Sequence, residues 1–114
     1  MKDRTMELKD VVTVRRQQRS ALETYAWEVF DQAAIARLID KATAEGRQQV
    51  RVLQDVPVNL SETEAAKALV LRLAQLGYRA IWESAGQREV IGKRETGRVA
   101  RYSELIIAWD GEVI

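Results

Sequence analysis

The sequence predicts an α+β fold: a two-layer sandwich with a small mixed three-stranded sheet, helices on one face, and an N-terminal helix or helix pair behind an extended leader. Three observations predict it. A helical apolar stripe, Ala66, Leu69, Val70, Leu73 and Leu76, runs into Gly77. A two-residue alternation with Tyr78, Ala80 and Trp82 on one face follows at once. Further strand patterns lie at Val50–Val52 and at residues 104–109, "ELIIAW".

The chain has 114 residues, of which 46% are apolar and 31% charged, the balance of one globular domain. At that length roughly 65% of the unfolded surface can be buried. There are no cysteines and no histidines. Thiolate chemistry, disulfides, Ser-His triads and the usual zinc sites are therefore absent from this chain. The longest apolar run, "LIIAW", is far short of the about 20 residues that a membrane helix needs. The N-terminus alternates charge and has no signal-peptide core. The expectation is a non-enzymatic protein with no cofactor, made in the cytoplasm and making no membrane contact.

Residues 1–19 read as a leader or arm. Val11, Val12 and Val14 form a β-branched patch before the basic run "RRQQR", consistent with a strand or with an arm packed on a neighbour. Residues 20–114 read as one domain. Ser20 and Glu23 fit an S-x-x-E capping box that opens a helix, and Gly46 is placed to close it. The stripe does not persist across that span. Leu22, Tyr25, Ala26, Val29 and Ala33 share one face, and Ile35, Leu38, Ile39 and Ala42 share nearly the opposite one. Either Asp31 caps a second helix, with the boundary near 30–32, or one helix is buried on different sides by different partners.

Val50 and Val52 make a half-buried strand, and Pro57 marks the loop after it. Ser61 and Glu64 predict a second capping box for a helix ending at Leu76, with Gly77 as its C′ residue and Tyr78 packing back. The strand–helix–strand order predicts a right-handed parallel crossover, with the third strand returning antiparallel. "SAGQ", residues 84–87, reads as a turn, and 86–102 as a basic loop or hairpin. "DG" at 110–111 predicts a turn that leaves Glu112–Ile114 to pair back or trail. No internal repeat is evident.

Charge is uneven. Residues 1–20 and 86–101 each carry a net +3, whereas 21–85 carry −2 and 102–114 carry −3. Glu62 and Glu64 lie where a helix dipole favours acids, so a structural role outweighs general acid–base work. Gly86, Gly92 and Gly97 are too widely spaced for a phosphate cradle. The basic group Arg88, Lys93, Arg94, Arg98 and Arg101, beside Tyr102, is the candidate contact for nucleic acid or for an acidic protein partner, with Glu89 and Glu95 weakening its field. Trp27 falls between the two stripes of the first helix. It either faces solvent or a partner, or packs under the leader. Val11, Val12, Val14, Trp27 and Phe30 form the candidate protein interface.

Residues 38–109, about two-thirds of the chain, resemble a small module of tailed-bacteriophage virion proteins. Ile39, Ala42 and Gly46 match its I-x-x-A-x-x-x-G opening, Gly77 and Tyr78 its helix-to-strand junction, and Ile107 and Trp109 its closing I-x-W. The leader and the segment 86–102 have no counterpart in it. The resemblance implies a structural subunit of the virion, a head-stabilising, neck or tail component, whose partners are other virion proteins and copies of itself. The alternative is a small nucleic-acid-binding or regulatory protein that uses 86–101.

Overall fold

The computed structural model describes residues 7–109, so the turn expected at 110–111 and the segment Glu112–Ile114 lie outside the described residues. Three helices and three strands follow in the order α1 (Val11–Val29), α2 (Gln32–Ala44), β1 (Gln49–Val52), α3 (Glu64–Gln75), β2 (Arg79–Ile91) and β3 (Arg94–Ala108). The class is α+β, as the sequence predicts.

Helix α1 begins nine residues before Ser20. Asp10 is its N-cap, accepting a 2.7 Å hydrogen bond from the Thr13 N–H. That backbone bond holds the Asp10 carboxyl below the ordinary aspartate range. A capped first turn with helix formers behind it outweighs the strand preference of Val11, Val12 and Val14. The expected extended leader is thus helical from Val11, and no boundary falls at residue 20. Ser20 sits inside the helix, where its carbonyl accepts from the Thr24 hydroxyl. Glu23 has a different partner: its Oε2 accepts from the Glu64 N–H at 2.8 Å and so helps cap α3 from a neighbouring helix.

The break between the opposed stripes is real. Helix α1 ends at Val29, and Asp31 caps α2 by accepting from the Ala34 N–H at 2.9 Å. Helix α3 is capped by Thr63, whose hydroxyl accepts from the Ala66 N–H. Ser61, expected in that role, lies in the turn before it. Both α2 and α3 end in the same way. Gly46 and Gly77 take positive φ angles of 77° and 94°. Arg47 donates to the Ala42 carbonyl and Gly46 to Thr43; likewise Tyr78 donates to Leu73 and Gly77 to Ala74. These are Schellman pairs, and each aims the chain into a strand.

The sheet order is β1-β3-β2, and both pairings are antiparallel. This corrects the expected mixed sheet. Strands β1 and β2 do point the same way, but β3 inserts between them, so they share no ladder. Val50 and Ala80 both sit opposite Ile107, and Val52 and Trp82 both sit opposite Leu105. These six residues form the face toward the helices. Leu105 and Ile107 are 0% exposed there. Helix α2 packs on β1, α3 on β2, and α1 against α3. The core is completed by Ala26, Phe30, Ile35, Ala42, Leu60, Leu69 and Leu73. Trp82 meets Phe30 edge-on at 6.0 Å, and Trp109 meets Tyr78 in the same manner at 6.0 Å.

Strands β2 and β3 continue well past this core. Residues 84–87 are strand, not the expected turn, and the real reversal is the two-residue loop Gly92–Lys93. Gly92 has φ 65° and Lys93 does not have a positive φ, the pattern of a type II′ hairpin. Gly86 serves close approach: a Cβ there would meet the Val99 side chain at 2.9 Å. The resulting projection helps stretch the molecule to 70 Å, with a radius of gyration of 18.2 Å. A compact chain of this length has about 13–14 Å.

Two stability changes follow. Ile107→Ala should cost about 2–5 kcal/mol, because a fully buried side chain on the central strand leaves a cavity. Gly77→Ala should cost about 1 kcal/mol or more through its left-handed φ, with no steric clash. Denaturant unfolding checks both.

Candidate interaction surface

The site-bearing elements are held by a polar network on the sheet face away from the helices. Glu83 of β2 and Glu104 of β3 stand directly opposite each other, an unfavourable pairing of like charges. Arg51 of β1 resolves it. Its guanidinium bonds Glu104 at 3.1 Å and also bonds Glu83, so one cation ties all three strands. Those bonds, first to Glu104 and then to Glu83, raise the Arg51 pKa further. Glu83 is thereby part of the sheet's framework.

Glu104 is buried at 4% exposure. Its Oε2 accepts from the Tyr102 hydroxyl at 2.7 Å and from the Gln54 N–H at 3.4 Å. Gln87 donates to the Tyr102 oxygen at 3.1 Å and to the Gln54 carbonyl at 2.9 Å. The Tyr25 oxygen of α1 accepts from the N–H groups of Asp55 and Val56. Asn59 accepts from the Ser103 N–H at 2.7 Å, satisfying part of the free edge of β3. The loop after β1 is therefore pinned to the root of the β2–β3 hairpin and to α1. The sequence placed Tyr25 in the apolar stripe but gave no sign of its hydroxyl's role, because its partners are backbone groups 30 residues away.

Beyond that root the hairpin is open. No residue from Gly86 to Arg101 belongs to the core. All five expected basic residues lie on this one projection, which is the structural content of the basic segment. Arg88 pairs with Glu95 at 3.3 Å, and Thr96 donates to Glu89 at 2.7 Å. Among the described residues, Lys93, Arg94, Arg98 and Arg101 make no ion pair. Arg88 lies opposite Val99 and Val90 opposite Glu95, so Thr96, Gly97 and Arg98 together face Glu89 alone. That bulge, with Gly97 at φ 85°, bends the tip. Val90 and Val99 are 54% and 50% exposed. The sequence reading singled out the basic groups and passed over these two valines.

The other expected surface lies on the helices. Val11, Val12 and Val14 are exposed on the first turn of α1. Trp27 is 57% exposed between α1, the start of α2 and α3. Phe30, expected at the interface, is 2% exposed and packs into the core against Trp82, so it offers nothing to a partner. Three acids of the helical layer serve the fold directly: Asp10, Asp31 and Glu23 all cap helices. Among the described residues no group of three or more acids could hold a metal ion, and no helix is long and apolar enough to cross a membrane.

No protein family, no curated protein and no solved structure matches this chain.

Burial, reinforced by the bond to Glu104, raises the Tyr102 pKa above the ordinary tyrosine value of about 10. The folded state thus favours the neutral phenol. Its contribution to stability is complete below pH about 10 and is lost as pH climbs through the higher folded value. Tyr102→Phe should flatten that alkaline decline. Unfolding free energies between pH 8 and 12 on both proteins measure it.

Proposed function

We propose that the protein is a non-enzymatic structural subunit of a tailed-bacteriophage particle, a head-stabilising, neck or tail component that works through protein–protein contacts. One observation carries the reading. A single small core holds out two uncovered projections, the first turns of α1 with Val11, Val12 and Val14, and the hairpin 86–101 with Val90, Ile91 and Val99. Exposed apolar side chains on projecting elements suit docking into neighbours. Trp27 adds an exposed aromatic of the kind that anchors interfaces. The resemblance of residues 38–109 to a virion module supplies the class of assembly, and the structural use of the acids supports a role without catalysis. Other virion proteins and copies of the chain itself are the proposed partners, and the virion its proposed location.

A second reading has its own observation in favour. Among the described residues Lys93, Arg94, Arg98 and Arg101 make no ion pair, and a two-stranded ribbon fits the DNA major groove. Binding to duplex DNA that weakens steeply with salt, and is lost on neutralising Arg94, Arg98 and Arg101, would favour it.

The particle reading is tested on virions purified by density gradient from lysates of the producing cells. Mass spectrometry should find the chain at a fixed ratio to the major shell protein. Trp27→Ala should lower its incorporation about tenfold, the scale of a mid-sized interface anchor, while leaving its melting curve unchanged. Absence from the particles would overturn the reading.

A further inference from the structure

We propose that the hairpin of one copy docks on the Trp27 surface of the next, a head-to-tail contact between identical chains. The inference rests on the structural-subunit reading and specifies one of its partners.

The argument begins with the sheet. Its helix-side face does not stop where the helices stop. Following the ladder outward from Trp82 and Leu105, the same face carries Gly86 opposite Arg101 and then Arg88 opposite Val99. Along β2 it continues to Val90. The other face of this stretch is partly covered, with Ala85 and Gln87 half-buried beside Tyr102. The helix-side face is bare: Gly86, Arg88, Val90 and Arg101 are all exposed. It is a core face that has run out of helices, with two valines, Arg101 and the Arg88–Glu95 pair where a covering layer would sit.

The Trp27 surface has the matching chemistry. The indole stands between two shallow grooves. One runs over Thr24, Glu28, Asp31 and Ala34; the other runs over Gln32, Ala65, Ala68 and Leu69. Asp31 lines both grooves and Glu28 the first alone, and neither groove includes a basic residue. Glu28 makes no ion pair among the described residues. An apolar ring flanked by carboxylates accepts valines and guanidinium groups together, through burial, cation–π contact and ion pairing. The first turns of α1 are basic too, through Arg15, Arg16 and Arg19; the hairpin is the better match because its valines and arginines share one extended strand face. The two surfaces differ, so the contact is heterologous. It closes into a ring or extends as a filament, according to the rotation between copies.

Sedimentation at several protein concentrations tests this, using the full chain and two exposed-site variants, Glu28→Arg and Arg101→Glu. Neither residue has a side-chain partner among the described residues, and circular dichroism verifies that both variants fold. The wild type should show mass rising with concentration and falling with added salt. Each variant alone should associate at least tenfold more weakly, because like charges then meet at the contact. An equimolar mixture should recover wild-type association to within about threefold, since alternating copies restore opposite charge at both junctions. A wild type that stays monomeric, variants that associate normally, or a mixture that fails to recover would each overturn the proposal. Binding of the hairpin to duplex DNA, lost in Arg101→Glu but kept in Glu28→Arg, without self-association, would overturn it in favour of nucleic acid. A monomer that is still found in purified particles would overturn this contact alone and leave the subunit reading standing.

Discussion

Leu105 and Ile107 of β3 are the point on which the architecture turns. Each is fully buried, and each is flanked by one residue of β1 and one of β2 at the same height. Strands β1 and β2 share no ladder, so the sheet exists only through β3. The helices in turn depend on the sheet: α2 lies over β1 and α3 over β2, and α1 reaches the core chiefly through α3. On the opposite face Arg51 repeats the logic in polar form, bridging all three strands and relieving the repulsion between Glu83 and Glu104. A partly exposed ion pair adds little by itself. Here its weight comes from Glu104, whose buried carboxylate would otherwise lack a counter-charge.

Local chemistry was legible in the sequence. Gly46 and Gly77 end helices because only a residue without Cβ takes their positive φ cheaply, and nothing distant alters that. Asp31 was legible for a similar reason: the stripe changes face there, and a carboxylate three residues ahead of Ala34 can reach its N–H. Periodicity put Trp27 between the two stripes and left open whether it faced outward or packed under the leader; it is exposed. Where several residues compete for one local role, the reading failed. Ser20 and Ser61 have the spacing of capping residues, yet Asp10 and Thr63 do that work, and Glu23 is taken by a helix 41 residues on. The strand preference of Val11 to Val14 was overruled by the cap before it.

Pairing partners were not legible. The strand–helix–strand rule gives β1 and β2 a common direction, which they have, but not adjacency, which β3 takes from them. Gly86 was read as a turn because glycine more often marks one. It sits in mid-strand so that Val99 can lie across it, a reason visible only once register is known. The basic groups of the candidate site were legible as a cluster, whereas the apolar Val90 and Val99 among them were not, because their exposure depends on how far the hairpin outruns the core.

The position of β3 in the chain has a consequence for synthesis. It is the central strand, yet it is made after both of its neighbours. As the chain leaves the ribosome, α2 with β1 and α3 with β2 emerge as two helix–strand units, each holding up an apolar strand face with nothing to pair against. Neither can close a sheet with the other. The nascent chain must keep Val50, Val52, Ala80 and Trp82 from wrong pairings until residues 105–108 are free of the tunnel. Cooperative folding then comes late and all at once. A message cut short within β3 before residue 105 leaves the outer β2–β3 ladder but no partner for β1.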